Sequence, residues 1–205
     1  NNPDIFSAQT MPILVAAIYA HNAYGADIIM RILGDMHRAL GAASYSALGL
    51  GASAKTTEVR ANAAEALASL VDRGMFDTTL FAKELYWLLG QHHVMAQRIE
   101  QTFRDAALIS SLAGWRIMQV LEGILPAVGE VNRGGTLVQL LAQLAGEYGV
   151  SIKIPEVLRP KMKGSTVLAK SLRALEKLQP HPTELAEQAR DQAQELLDQH
   201  RCAQP

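Results

Sequence analysis

The segment of the sequence closest to a known chemical motif is Gly-Leu-Gly-Ala-Ser-Ala-Lys-Thr at residues 49–56. Phosphate-binding loops follow the pattern G-x-x-x-x-G-K-[ST], in which backbone N–H groups surround a phosphate, the lysine offsets its charge and the hydroxyl holds Mg²⁺. Here Ala54 replaces the second glycine, and the sequence shows neither the strand that should precede the loop nor a later strand ending in Asp. We therefore predict a flexible loop in which Thr56 or Thr57 caps the following helix.

Six histidines raise the question of a metal site. Zinc sites on helices use ligands four residues apart or on facing turns, usually with cysteine or carboxylate partners. No H-x-x-x-H pattern occurs, and the adjacent His92 and His93 would point about 100° apart on a helix. A G-x-S-x-G motif is also absent, and Cys202 lies in the C-terminal tail. The sequence thus predicts no catalytic, cofactor-binding or metal-ligating residue.

Positive charge is concentrated near the C-terminal end of the chain. Residues 151–180 carry seven positive and two negative side chains, whereas residues 181–205 carry two positive and five negative ones. We call the seven cations the basic strip: Lys153, Arg159, Lys161, Lys163, Lys170, Arg173 and Lys177. They could bind phosphates or an acidic protein partner; the alternative is a solvated helix face neutralised by the acidic tail beside it. Because few aromatic residues are interleaved, single-stranded nucleic acid is not the favoured partner.

The composition indicates what kind of structure positions these residues. Of the 205 residues 49% are hydrophobic and only 19% charged, and runs of strand-favouring residues are almost absent. The net charge of −1 argues against attraction of the whole chain to nucleic acid or an anionic membrane. The longest continuous apolar part of the N-terminal region, residues 13–20, is much shorter than the roughly 20 residues of a membrane span. We expect an all-α protein without a membrane partner, and the single cysteine favours a cytoplasmic location.

Apolar residues recur at three- and four-residue steps in almost every segment between turn signals, which predicts successive helices. Gly74 and Gly149 are expected to end helices, and Asp77 to begin one. Trp87 and Trp115 fall at apolar helical positions and are expected to pack in the core or between repeats.

The helices are predicted to pair as short-linked hairpins whose first helices begin near residues 11, 56, 94 and 134, at spacings of 45, 38 and 40 residues. Such spacings are typical of HEAT and armadillo repeats. We predict a right-handed HEAT/armadillo-like superhelix of about four helical hairpins over residues 1–180, followed by a polar C-terminal helix or tail over residues 181–205. The alternative is an irregular helical bundle, because residues in one hairpin hardly resemble those in the next.

Five pieces of the sequence follow one another in an order found in a known family. They are LGLGASAKTTEVRANAAEALASLVDRGMFD (48–77), VMAQRIEQTFRDAA (94–107), WRIMQVLEGILPAV (115–128), GGTLVQLLAQLAGEYG (134–149) and KGSTVLAKSLRALEKL (163–178). This order resembles the C-terminal helical region of large bacterial proteins of unknown function with HEAT-like repeats, in which Arg60 and the turn at residues 72–77 would mark a helix hairpin. The resemblance implies a repeat segment that is a fragment of a longer chain, and it implies no activity.

Two functional classes follow from these observations. The first is a non-catalytic helical-repeat scaffold that mediates protein–protein interaction, with the basic strip as its contact edge. The second is a HEAT-like nucleic-acid-binding protein or DNA-glycosylase-type enzyme that uses the basic strip to hold DNA. The net charge of −1 and the presence of only two tryptophans, far apart in the sequence, favour the first class.

Overall fold

The computed structural model is all-helical in the residues that it describes, which are 23–35, 41–91, 93–181 and 184–202. The helices are Ala23–Gly34 (α1), Ala42–Ala52 (α2), Thr57–Asp72 (α3), Thr78–Gln91 (α4), His93–Ala107 (α5), Ser111–Val128 (α6), Gly135–Glu147 (α7), Val167–Lys177 (α8) and Glu184–Cys202 (α9), with 3₁₀ segments at Asn132–Gly134 and Glu156–Met162. No strand occurs within these ranges, so the all-α prediction is confirmed. The hairpin predicted to begin near residue 11 starts outside the described residues.

Alternate helices pack against one another along the chain. The odd-numbered helices α1, α3, α5 and α7 contact each other in succession, and so do the even-numbered helices α2, α4 and α6. Helix α6 also contacts α3, α5, α7 and α9, which places it at the centre of the molecule. Its side chains at Ile117, Leu121 and Ile124 are fully or almost fully buried. These helices therefore bury apolar surface against helices that lie two positions away along the chain.

Glycines at the ends of α3 and α7 terminate both helices in the same way. Gly74 has φ +67° and Gly149 has φ +63°, a left-handed conformation that residues with a side chain rarely adopt. In α3 the amide of Met75 donates to Leu70 O at 3.0 Å, and in α7 the amide of Val150 donates to Ala145 O at 2.8 Å. These are the bonds of a Schellman motif, so both predicted helix ends are confirmed.

The turn between α3 and α4 is held by a tyrosine and an aspartate. The Tyr45 hydroxyl donates to Met75 O at 3.3 Å and accepts a hydrogen bond from the amide of Asp77. The Asp77 carboxylate accepts from the amides of Thr79 and Leu80 at 2.9 and 3.0 Å, as a helix cap does. The predicted helix start at Asp77 is therefore confirmed, and α2 is fixed to this turn through Tyr45.

The end of α7 also holds the segment that leads into α9. The amide of His181 donates to Gly149 O at 2.8 Å, and a Cβ added to Gly149 would lie 1.6 Å from His181 O. Only glycine permits this approach. The two ends of segment 150–180, which contains the whole basic strip, therefore lie side by side at the end of α7.

The two tryptophans occupy different environments. Trp115 is partly buried, with its ring centroid 5.5 Å from that of Tyr148 and 5.5 Å from the Arg190 guanidinium. Trp87 is 49% exposed, and its neighbour Tyr86 is 48% exposed. Of the two environments predicted for Trp87, the core is therefore wrong, because other side chains of α4, including Phe81 and Leu88, fill the buried face of the helix.

A pair of adjacent substitutions tests the orientation of α4. Leu88 is fully buried, so Leu88→Ala is expected to lower the free energy of unfolding by about 2–5 kcal/mol. Trp87→Ala removes a half-exposed side chain, with an expected cost of about 1 kcal/mol or less. Urea unfolding of the two variants beside the parent measures both. Equal losses, or a larger loss for Trp87→Ala, would contradict the orientation.

Candidate functional site

The first half of the segment that resembles a phosphate-binding loop, residues 49–52, is helical. Helix α2 extends through Ala52, and both Gly49 and Gly51 are buried within it. A Cβ on Gly49 would lie 2.7 Å from Leu88 Cδ1, and one on Gly51 would lie 2.3 Å from Met30 Sδ. The two glycines thus allow α2 to approach α4 and α1 closely. The prediction of a loop was wrong for residues 49–52, because glycine in this segment serves helix packing.

The short turn after α2 presents no phosphate cradle. The Arg60 guanidinium donates to Ala54 O and Lys55 O, both at 2.8 Å, and to the Thr57 hydroxyl at 3.3 Å. Thr56 is the residue before α3, but its side chain makes no capping hydrogen bond. Thr56 thus occupies the predicted capping position, but the capping hydrogen bond expected from its side chain is not formed. Arg60 stabilises the turn instead.

Nucleotide addition tests this conclusion. A ligand that binds the folded state raises the melting temperature, because binding adds to the free energy of unfolding. MgATP at millimolar concentration is expected to leave the melting temperature of the chain unchanged, since the backbone N–H groups of residues 49–52 lie inside a helix. A rise of several degrees that Lys55→Ala abolishes would establish a phosphate site.

The described residues contain neither a cluster of metal ligands nor a helix that could cross a membrane. Among the described residues, no three or more His, Cys, Asp or Glu side chains come together in a way that could hold a metal ion. No helix in the same part of the chain has the length and apolar character that crossing a membrane requires. His92 lies outside the described residues.

Two glycine contacts position the basic strip. Leu158, in the 3₁₀ segment, is fully buried, and a Cβ on Gly129 would lie 2.5 Å from its Cδ1 atom. A Cβ on Gly135, the first residue of α7, would lie 2.6 Å from the amide nitrogen of Leu168 at the start of α8. The absent side chains let the 3₁₀ segment and α8 dock on α6 and α7. Lys153 is exposed between the buried Ile152 and Ile154.

The two arginines of the basic strip are occupied within the chain. Arg173 donates from Nη1 to Gly164 O at 3.0 Å and to Met162 O, which fixes the connection before α8. Arg159 donates to Glu156 at 2.8 Å and to Glu176 at 3.3 Å. Neither guanidinium is therefore available in full to a partner. Sequence counting missed this, because the acceptors include backbone carbonyls that a sequence does not display.

The lysines of the strip are available. All five are exposed; Lys161 donates to Glu130 O at 3.2 Å, whereas the other four make no hydrogen bond or ion pair with any residue that the structure describes. On α8, Lys170 and Lys177 share one exposed stripe with Val167 and Ala174, opposite the buried Leu168, Leu172 and Leu175. Seven residues separate the two lysines, which is about 10.5 Å along a helix. Helix α8 therefore holds two exposed cationic side chains at a fixed spacing on one face.

Two aliphatic side chains interrupt this cationic surface. Val157 is 56% exposed and Val167 is 49% exposed, and both lie in sequence between lysines of the strip. Exposed apolar groups rimmed by charge are common where a protein binds another protein. The surface thus offers both charge and apolar area to a partner.

No family model, curated protein sequence or solved structure matches this chain. The resemblance to the C-terminal region of large bacterial HEAT-like proteins therefore stays a prediction that rests on the five sequence pieces.

A second exposed region was missed by the sequence reasoning. Leu108 is 78% exposed and Ile109 is 53% exposed at the turn between α5 and α6, beside an open cavity of about 380 Å³. Arg104 lines this cavity, and its guanidinium donates hydrogen bonds to Glu100 at 2.6 Å and to Gln143 at 3.0 Å. The sequence does contain one feature that indicates this exposure, which is Ser110. Because Ser110 caps α6, the two apolar residues before it lie in a turn.

Arg116 lines a smaller cavity of about 160 Å³ between α3 and α6, and it forms an ion pair with the partly buried Asp72. Arg116 donates to Val71 O at 2.9 Å, and its Nε lies 3.9 Å from Asp72 Oδ1. These two atoms are buried and have no hydrogen-bond partner among the described residues. Burial raises the pKa of Asp72 above its ordinary value, and the positive charge of Arg116 only partly offsets this.

The raised pKa of Asp72 predicts that ionisation of its carboxyl group lowers the free energy of unfolding as the pH rises. Because the folded state holds the proton more tightly than the unfolded state, stability is lost as the pH rises from the unfolded-state pKa, about 3.9, through the folded-state pKa. Asp72→Asn is therefore expected to melt at a higher temperature than the parent at pH 7, with a difference that vanishes below about pH 3.9. Glu65→Gln, an exposed change on the same helix, is the control. A lower melting temperature for Asp72→Asn at pH 7 would show that the attraction to Arg116 dominates.

Proposed function

We propose that this chain is a non-catalytic, HEAT-like helical-repeat scaffold that acts in the cytoplasm by binding an acidic segment of another protein at its basic strip. The observation that carries the proposal is the row of exposed lysines on and before α8, with two exposed valines among them.

The order of helix contacts supports the repeat architecture. In a stack of helical hairpins, each helix meets the equivalent helix of the next hairpin, which is two positions along the chain. The successive contacts of α1 with α3, of α3 with α5 and of α5 with α7 follow this rule, and so do those of α2 with α4 and of α4 with α6. An array of this kind exposes long helix surfaces, and proteins built this way commonly use them to bind extended partners.

The chemistry of the strip favours protein over nucleic acid. Bidentate arginine contacts are the strongest phosphate contacts, but Arg159 and Arg173 are engaged by other groups of the chain. No Phe, Tyr or Trp occurs between residues 150 and 180 on which a base could stack. Val157 and Val167 would instead contact aliphatic side chains. A segment that combines carboxylates with leucine or valine complements every exposed feature of this surface.

Peptide binding tests the proposal. The probe is a fluorescein-labelled peptide of repeated Glu-Glu-Leu units, titrated with the protein at low and high salt and followed by fluorescence anisotropy. Lys170→Glu/Lys177→Glu is expected to weaken binding by about tenfold at low salt, because each reversal replaces an attraction with a repulsion. High salt is expected to reduce this difference.

Lys55→Glu/Lys83→Glu is the matched control, since it changes the net charge equally at two exposed lysines outside the strip. Equal loss in both double variants would mean that only the total charge matters, and the proposal would fail. Tighter binding of a DNA duplex than of the peptide, lost in the strip variant, would favour the nucleic-acid function instead.

A further inference from the structure

Helix α9 carries an acidic stripe that faces away from the rest of the molecule. It packs on α6 through its buried residues Ala186 and Ala189, while Arg190 lies over the ring of Trp115. Four exposed carboxylates recur at steps of three and four residues: Glu184, Glu187, Asp191 and Glu195. With 3.6 residues per turn, this spacing places them on the side of α9 opposite the two alanines.

The acidic stripe of α9 and the basic stripe of α8 have matching dimensions. Lys170 and Lys177 are seven residues apart, and so are Glu184 and Asp191. Both pairs therefore span about 10.5 Å along their helix axes. If α8 and α9 lie antiparallel, Lys170 is opposite Asp191 and, at the same time, Lys177 is opposite Glu184. Ala174, between the two lysines, is small enough to let the helices come close.

Within one chain the two stripes do not pair. Among the described residues no ion pair joins the basic strip to α9; the ion pairs of the strip are those of Arg159 with Glu156 and Glu176. Helix α9 is held on α6, and no ion pair among the described residues supports the alternative in which the acidic tail neutralises the strip. Within each exposed stripe the like charges repel one another. An oppositely charged partner would therefore stabilise either stripe.

We propose that the acidic partner of the basic strip is α9 of a second copy of this chain, so that the protein forms a dimer. The inference rests on the proposed function, since it uses the same lysines as a protein-binding surface. Each chain carries both stripes, so a two-fold axis brings α8 of each copy against α9 of the other and makes the same contact twice. This closed arrangement leaves no stripe free to recruit a third copy.

Charge reversal on either helix tests the dimer. Sedimentation velocity over a range of protein concentrations at low salt is expected to show a dimer for the parent chain. Lys170→Glu/Lys177→Glu and Glu184→Lys/Asp191→Lys are each expected to raise the dimer dissociation constant at least about tenfold, because like charges then face one another. An equimolar mixture of the two variants is expected to form a heterodimer, since all facing charges are again opposite. The chain with all four substitutions is expected to dimerise as the parent does.

Rescue in the mixture separates a lost contact from a misfolded variant, because a misfolded partner would not restore association. Lys55→Glu/Lys83→Glu and Glu65→Lys/Glu122→Lys change the same net charges at exposed residues elsewhere and are expected to leave the dimer intact.

Three results would overturn the inference: a monomeric parent chain at every concentration in low salt, dimerisation of either reversed variant as tight as that of the parent, or a mixture that stays monomeric. If the parent is monomeric but Lys170→Glu/Lys177→Glu still weakens peptide binding, the proposed function stands and self-association does not. If that variant binds the peptide as the parent does, the proposed function itself fails.

Discussion

Close packing against glycine is the constraint on which the candidate surface depends. At Gly129 and Gly135 a single added carbon would collide with Leu158 and with the amide of Leu168. These contacts seat the 3₁₀ segment and the start of α8 on the centre of the molecule, and the lysines project outward because Leu158, Leu168 and Leu172 point inward. The charged surface therefore follows mainly from packing underneath it. Of the lysines in the strip, Lys161 adds a hydrogen bond to Glu130 O at 3.2 Å, and the other four make no contact of this kind with the described residues.

Much of the fold could be predicted where a residue has one dominant local effect. Gly74 and Gly149 end helices in left-handed conformations, and Asp77 begins one by accepting two backbone hydrogen bonds. The prediction was wrong where a residue type serves two purposes. Gly49 and Gly51 suggest a loop when considered locally, yet they lie inside a helix because tertiary contacts with Leu88 and Met30 require their lack of a side chain.

The candidate surface could be located from sequence but not characterised from it. The concentration of positive charge between residues 153 and 177 is visible in the sequence alone. That Arg159 and Arg173 are engaged, and that Lys170 and Lys177 are not, depends on which backbone carbonyls and carboxylates come near, which composition does not encode. The exposure of Trp87 could not be predicted for a similar reason. Its apolar type suggests burial, but other side chains fill the buried face of α4.

The hydrogen bond between His181 and Gly149 gives the segment from 150 to 180 the character of an insertion. Because its two ends meet, the segment leaves and rejoins the rest of the fold at one point, and α8 within it packs on α7. Charged positions on its outer side can change over evolution without disturbing α7 or the docking of α9, provided that the leucines beneath are kept. The surface proposed to recognise a partner is thus also the one whose charges natural variation can alter at little cost to folding.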